Sequence, residues 1–219
     1  MTTISRGRRS SAQRKGDRNE QAIIDTAERL LITQPLHEVT VEALARGAGI
    51  SRSSFYFYFS SKEDVLLSLL DRLGGEMNAV ITTLEHTIAE DPLASLTAAM
   101  QASAKVWHEH GPVLQASLEM ATTETRIRGA WQTFMNRFVT TLAEVIDAER
   151  ARGAAPNQGP TARQLASALV WAHNHAFQQS FLGDPSALTG DEITPVLVEL
   201  FYRTIYAKPC TPPQPGNRH

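Results

Sequence analysis

Ser51, Arg52, Ser53, Ser54, Tyr56 and Tyr58 crowd short hydroxyls, one guanidinium and two phenols into two turns of a potential helix. Such donors suit phosphate oxygens and base edges, and an arginine at the start of the segment can fork onto a guanine in a major groove. Phe55 and Phe59, spaced i, i+4, can anchor the opposite face. Lys62 opens the next segment, where its ammonium and the backbone N–H groups can meet a phosphate. Upstream, Arg6, Arg8 and Arg9 are placed to reach an adjacent minor groove. The competing interpretations are an aromatic core helix capped by serines and, for the arginines, a solvated charge run.

Other chemistry finds less support. There is no glycine-rich phosphate loop, no nucleophile elbow and no His-Glu-x-x-His pattern, so no enzyme is expected. His108-x-His110 and His173-x-His175 have i, i+2 spacing, which on a helix separates the side chains by roughly 200°. Neither pair can chelate one ion, no Cys/His set has zinc spacing, and neither metal nor cofactor is expected. Glu144, Asp147 and Glu149 are expected to form a solvated face.

The elements that must position these residues start from a lopsided charge distribution. The net charge of the 219 residues is −2, yet residues 1–62 hold ten Lys/Arg against six acids and carry +4, leaving −6 on the remainder. A basic end on an acidic body is the asymmetry expected of a chain whose one end meets a polyanion. Hydrophobic residues make up 42% and charged residues 20%, enough for a sizeable core. The single cysteine, Cys210, permits no internal disulfide, no apolar run approaches a bilayer span, and the basic N-terminus lacks an apolar stretch after it. A cytoplasmic protein without membrane association is therefore expected.

Periodicity predicts helices throughout. One starts near Asp17 or Asn19 and ends before Pro35, with Ile23, Ala27, Leu30 and Leu31 on one face. Thr40 suits the N-cap of a second helix, running from Val41 to about Ala48, and Gly49 can close it in the left-handed conformation. Ser51 caps the third. Ser60-Ser61-Lys62-Glu63 has the form of a capping box for the fourth, which carries Val65, Leu66, Leu69, Leu70 and Leu73 past Gly74-Gly75. Breaks are expected at Asp91-Pro92 and again at Gly111-Pro112. Helices are then expected over about 113–121, 124–152, 161–182 and 191–207. No alternating strand pattern occurs, so the expected fold is all-α with about nine helices.

Two short helices joined by a glycine turn suggest a helix-turn-helix. The stretch from Thr40 to Glu63, with its Ala-x-x-Ala-Gly turn, Phe-Tyr-x-Tyr-Phe run and Ser-Lys-Glu start of the fourth helix, resembles the DNA-binding signature of the TetR family of repressors. A closer resemblance, to one mycobacterial member, extends through Val65-Leu-Leu-x-Leu-Leu-Asp-Arg72, Trp131-x-Thr-Phe-Met135 and Val145-Ile-Asp-Ala-Glu-Arg-x-Arg-Gly-Ala-Ala-Pro156. The resemblance implies three DNA-binding helices, a linker helix, and a last pair of helices that forms a dimeric four-helix bundle. It places DNA contacts at Thr40, Ser51, Arg52, Ser53, Ser54, Tyr56, Tyr58 and Lys62. Composition predicts a flexible basic arm (1–18) and a disordered, proline-rich tail (208–219); between them the resemblance implies a helix-turn-helix domain (19–62) and a helical ligand-binding and dimerisation domain (63–207).

A ligand-released regulator needs a second site whose occupancy disfavours the DNA-bound spacing of its reading heads. The expected partners are operator DNA, an apolar small-molecule effector and a second copy of the chain. Candidate pocket walls are Trp131, Phe134, Met135 and Phe138, facing His173, Asn174 and Phe177, with Val106, Trp107 and His110 from an earlier helix and Phe201 at one end. The resemblance supports this placement for Trp131, Met135, Phe138, His173, Asn174, Phe177 and Phe201. For the dimer, Ala166, Ala168, Leu169, Ala172, Val196, Val198 and Leu200 suit helix-to-helix packing. The alternative function is a helical carrier or scaffold without specific DNA binding.

Overall fold

A computed structural model describes residues 5–207, with side chains described except for those of 5–15 and 78–80. Its elements are α1 (Ser5–Leu31), α2 (Val41–Gly47), α3 (Arg52–Tyr58), α4 (Lys62–Thr87), α5 (Pro92–Met120), α6 (Thr125–Ala151), α7 (Ala162–Leu182) and α8 (Gly190–Tyr206). No strand occurs among the described residues. The expected tail, 208–219, lies outside them.

Two expected boundaries are corrected. α1 does not start at Asp17 or Asn19 but at Ser5. Ala12, Gln13, Arg14 and Lys15 are good helix formers, and extending an existing helix avoids the cost of nucleation. The second correction is Gly111-Pro112, which does not break the chain: α5 runs through Pro112, so eight helices are described where about nine were expected. A proline inside a helix costs about 3 kcal/mol. The next turn offsets this by burying Val113, Leu114 and Ala116, and Ser117, fully buried, donates its hydroxyl to the Val113 carbonyl at 2.7 Å.

The chain divides into two compact units. The first comprises residues up to Glu76 together with Glu109–Phe134. Its core is built from Ile23 and Ala27 of α1, Leu44 of α2, Phe55 of α3, and Val65, Leu66, Leu69 and Leu73 of α4. Local signals fix the short helices: Thr40 Oγ1 accepts from the Ala43 N–H at 3.1 Å, and Gly49 turns the chain at φ +69°. Gly47 lets α2 approach α1, because a Cβ there would collide with Thr26 Cγ2.

The second unit comprises Met77–His108 and the residues from Met135 onward. Leu96, Met100, Leu142, Ile146, Leu169, Ile193 and Leu197 are buried in it. Glu149, expected on a solvated face, is also buried. Its two oxygens accept from Nε and Nη2 along one edge of the Arg152 guanidinium, and it accepts from the Tyr206 hydroxyl at 2.9 Å, tying the C-terminal end of α6 to that of α8. A carboxylate can be buried there because a cation and a phenol satisfy it. Burial and the adjacent Glu149 carboxylate raise the Tyr206 phenol above its ordinary value.

Candidate nucleic-acid interface

α3 is only seven residues long and cannot persist alone. Phe55 is fully buried and Phe59 nearly so, with their rings 6.1 Å apart, and these two anchors hold the helix against its unit. Ser51 caps it: its Oγ accepts from the Ser54 N–H at 3.1 Å and lies 2.9 and 2.8 Å from the Ser53 and Ser54 hydroxyls. Arg52, Ser53, Tyr56 and Phe57 are then exposed to solvent.

Arg52 is held at the outer face by two neighbours. Its guanidinium lies 2.8 Å from Glu42 Oε1 on α2 and donates to the Tyr56 hydroxyl at 3.4 Å. The Tyr56 hydrogen bond, then the Glu42 charge, raise the Arg52 pKa further. The ion pair is exposed on both sides, so phosphate or a base edge can replace Glu42 with little desolvation. Tyr58 is half-buried, and its hydroxyl accepts from Asn19 Nδ2 at 3.0 Å, linking α3 to α1. Asn19, expected as a helix cap, instead serves as this tether.

Lys62 is not presented to a phosphate. Its ammonium donates to the carbonyls of Leu36, His37 and Val39 at 2.7, 3.0 and 3.0 Å. An ammonium has three donors, and here all three clasp the loop between α1 and α2. The expected cap of α4 also shifts by one residue: Ser61 Oγ accepts from the Asp64 N–H at 3.2 Å.

Phe57 is not among the expected contact residues, although among the described residues it is the most exposed large apolar side chain, at 84%. The sequence held the signal: Phe57 stands two positions from Phe55, roughly 200° around the helix, and therefore opposite the buried face.

The expected pocket residues divide between the units. In the second, His173 stands edge-on to Phe177 at 4.9 Å and to Phe201 at 6.3 Å. Part of the residue is accessible, but burial of the ring lowers its pKa to about 4, so it is neutral at pH 7. Asn174 is buried. Met135, Phe177 and Phe201 are buried, Val106 and Phe138 half-buried. Trp107, also buried, packs on Phe181 at 6.0 Å, a partner not anticipated. In the first unit Trp131 is buried and stacks on Phe134 at 5.4 Å. His110, expected at a pocket wall, instead lies in the first unit between two carboxylates: Glu28 Oε1 is 2.6 Å from Nδ1 and Glu76 Oε2 3.4 Å from Nε2.

Comparison with known proteins bears on the whole arrangement. Residues 23–69 match the model of bacterial regulatory proteins of the tetR family, and residues 96–207 match that of the EthR transcriptional regulator C-terminal domain. The chain is 37% identical to the HTH-type transcriptional regulator EthR of Mycobacterium tuberculosis over 95% of its own length and 96% of that protein. The chain belongs to the TetR family. The EthR-like match spans both units. Two solved structures share the fold at low identity. The fatty acid degradation regulator FadR of Bacillus halodurans superposes with a TM-score of 0.67 at 18% identity, covering 86% of this chain and 95% of that one. Thermus thermophilus FadR, a TetR family repressor solved in complex with lauroyl-CoA, gives 0.60 at 19% identity, covering 90% and 99%. The TetR-family chain has no described helix long and apolar enough to cross a membrane.

Proposed function

We propose that this TetR-family regulator is a cytoplasmic homodimeric repressor that docks α3 of each protomer in the major groove of an operator and is released by a mainly apolar small molecule. The observation that carries the reading is the outer face of α3: Arg52, Ser53, Tyr56 and Phe57 exposed on a helix whose other face is pinned by Phe55 and Phe59. Arg52 is the candidate for a guanine and Phe57 for a thymine methyl. Thr40, Ser53, Tyr56 and Tyr58 would set register on phosphates. Ser51 and Ser54 act mainly through the cap, and Lys62 through the loop it clasps.

Support for the dimer comes from α7 and α8. Leu169 and Val198 are buried within the protomer, as is Ala166, whereas Ala168, Ala172, Val196 and Leu200 are exposed, together with Trp171. Exposed apolar residues at i, i+4 on both helices suit a four-helix bundle across a two-fold axis. Support for the effector comes from the ring cluster of His173, Phe177 and Phe201, an apolar wall on which His173 stays partly accessible. The relatives that the chain resembles are transcriptional regulators, and no catalytic role is assigned.

The test is selection from a random duplex library with the full chain, followed by binding to the enriched duplex. A two-fold symmetric sequence should be recovered, and Arg52→Ala and Tyr56→Ala should each weaken its binding tenfold or so. Enrichment of no sequence, or a monomer in sedimentation at micromolar concentration, would contradict the proposal. Expression of a reporter downstream of the selected sequence separates repression from activation.

A further inference from the structure

Glu42 of α2 and Arg52 of α3 form an ion pair that local structure does not dictate. The cation that helical spacing offers Glu42 is Arg46, at i+4, yet no ion pair joins those two among the described residues. Glu42 instead reaches across to the next helix, where its Oε1 lies 2.8 Å from Nη1 of Arg52. The other amino group of the guanidinium, Nη2, donates to the Tyr56 hydroxyl at 3.4 Å, and Cζ stands 5.9 Å from the Tyr56 ring centroid. Arg52 is braced on two sides, while its side chain keeps 61% exposure and that of Glu42 56%. An acidic residue in the first turn of α2 also favours the helix dipole. That accounts for a carboxylate at this position but not for its reach to Arg52.

The couple has a chemical pattern. A guanidinium has five N–H donors, so Glu42 and Tyr56 leave several of them for a further acceptor. The pair therefore presents donors beside a carboxylate acceptor. The major-groove edge of a G·C pair presents the converse: N7 and O6 of guanine accept, and the N4 amino group of cytosine next to them donates. An A·T edge separates its two acceptors by the adenine amino group, so the arginine fork cannot take both. A phosphate presents acceptors alone and carries charge of the same sign as Glu42. A phosphate that captures Arg52 either displaces Glu42 or lies against it, and in both cases a carboxylate is left facing the polyanion.

We propose that Glu42 is a specificity-determining residue of the reading head: with Arg52 it forms a donor–acceptor couple that fits the major-groove edge of a G·C pair, its carboxylate accepting from the cytosine amino group and opposing capture of Arg52 by phosphate. Specificity is a difference of affinities, and Glu42 acts on both sides of that difference. This inference rests on the DNA-binding reading above and adds to it the second half of a base-pair contact.

The experiment uses the full chain, the duplex that it enriches from a random library and a scrambled duplex of equal length, with binding read by fluorescence anisotropy at constant salt. Single base-pair changes in the enriched duplex locate the position whose discrimination Arg52→Ala removes, and that pair should be G·C. Glu42→Ala should lower discrimination at the same pair by about fivefold or more, the lower end of what one base contact supplies, while it tightens binding to the scrambled duplex. In the R52A background, E42A should leave discrimination at that pair nearly unchanged. A carboxylate that merely repels DNA would, on removal, tighten both duplexes by one factor. A carboxylate that merely serves the α2 dipole would lower Tm on removal without touching the ratio. Either result overturns the proposal, and so does an equal loss of discrimination in the two backgrounds. If E42A protein does not fold by circular dichroism, Glu42→Gln, which removes the charge, should tighten scrambled binding more than enriched binding, and an equal gain overturns the proposal as well. Where a sequence is enriched but Arg52→Ala affects no G·C pair, only the couple fails; where none is enriched, the DNA-binding reading fails and this inference with it.

Discussion

Replacing Gly47 by alanine puts the contact between α1 and α2 to a strict test. The new Cβ would lie well inside van der Waals contact of Thr26 Cγ2 and 3.2 Å from its Oγ1. Thr26 is poorly able to yield. It is buried, its hydroxyl donates to the Ala22 carbonyl at 2.7 Å, and the same oxygen accepts from Arg29 at 2.9 Å. Turning χ1 to clear the methyl would break both bonds. Overpacking of this kind costs about 1–3 kcal/mol, against which alanine returns up to about 1 kcal/mol of helix propensity. The net expectation is a loss of about 1–2 kcal/mol, or roughly 2–8 °C in Tm for a chain of this size. Thermal melting of the full chain reads it, with binding to the enriched duplex as a second measure because α2 seats α3. Thr26→Ser removes Cγ2 and keeps the hydroxyl, so G47A/T26S should regain most of what G47A loses relative to T26S alone. A G47A protein as stable as wild type, or a double variant that regains nothing, would refute the close approach.

Lys62→Met should destabilise the chain by about 1–3 kcal/mol by leaving the carbonyls of Leu36, His37 and Val39 without their donor, while the salt dependence of duplex binding stays unchanged; a slope reduced by about one would restore Lys62 as a phosphate contact. Phe57→Ala should abolish discrimination between thymine and deoxyuridine at one operator position, since only the methyl group distinguishes them; unchanged discrimination removes Phe57 from readout. Unfolded, the imidazole of His173 takes its proton near 6.5, but folded only near 4. Between these values the unfolded chain binds more protons, so His173 makes stability fall as pH falls through that window, by at most about 1.4 kcal/mol per pH unit. His173→Phe should flatten the pH dependence of Tm there, and an unchanged dependence would place the ring in contact with water.

Much of the reading head was legible in sequence because its determinants are local. Thr40 and Ser51 cap helices three residues ahead of their acceptors' partners, Gly49 turns the chain by its own φ, and Phe55 and Phe59 share a face through helical period alone. The exposure of Phe57 follows from the same period and needed only to be read. Pro112 marks the limit of such rules: its local penalty is real, but burial on the following turn outweighs it, and burial is a property of the packed chain.

The segment from Thr40 to Phe59, the charge split and the helical period determined by themselves the fold class and the family, and singled out α3 as the surface proposed to face DNA. What only the tertiary structure decided is the partner of each long charged side chain. Lys62 finds carbonyls 23 to 26 residues earlier, Glu149 a phenol 57 residues later, and His110 a carboxylate 82 residues before it. The physical reason is common to all three. A flexible side chain carries its charge several bonds from the backbone, and the local pattern leaves solvent, ligand and protein equally available to it. The choice is made when helices distant in sequence close together and desolvate that charge, because it must then be paired where it stands.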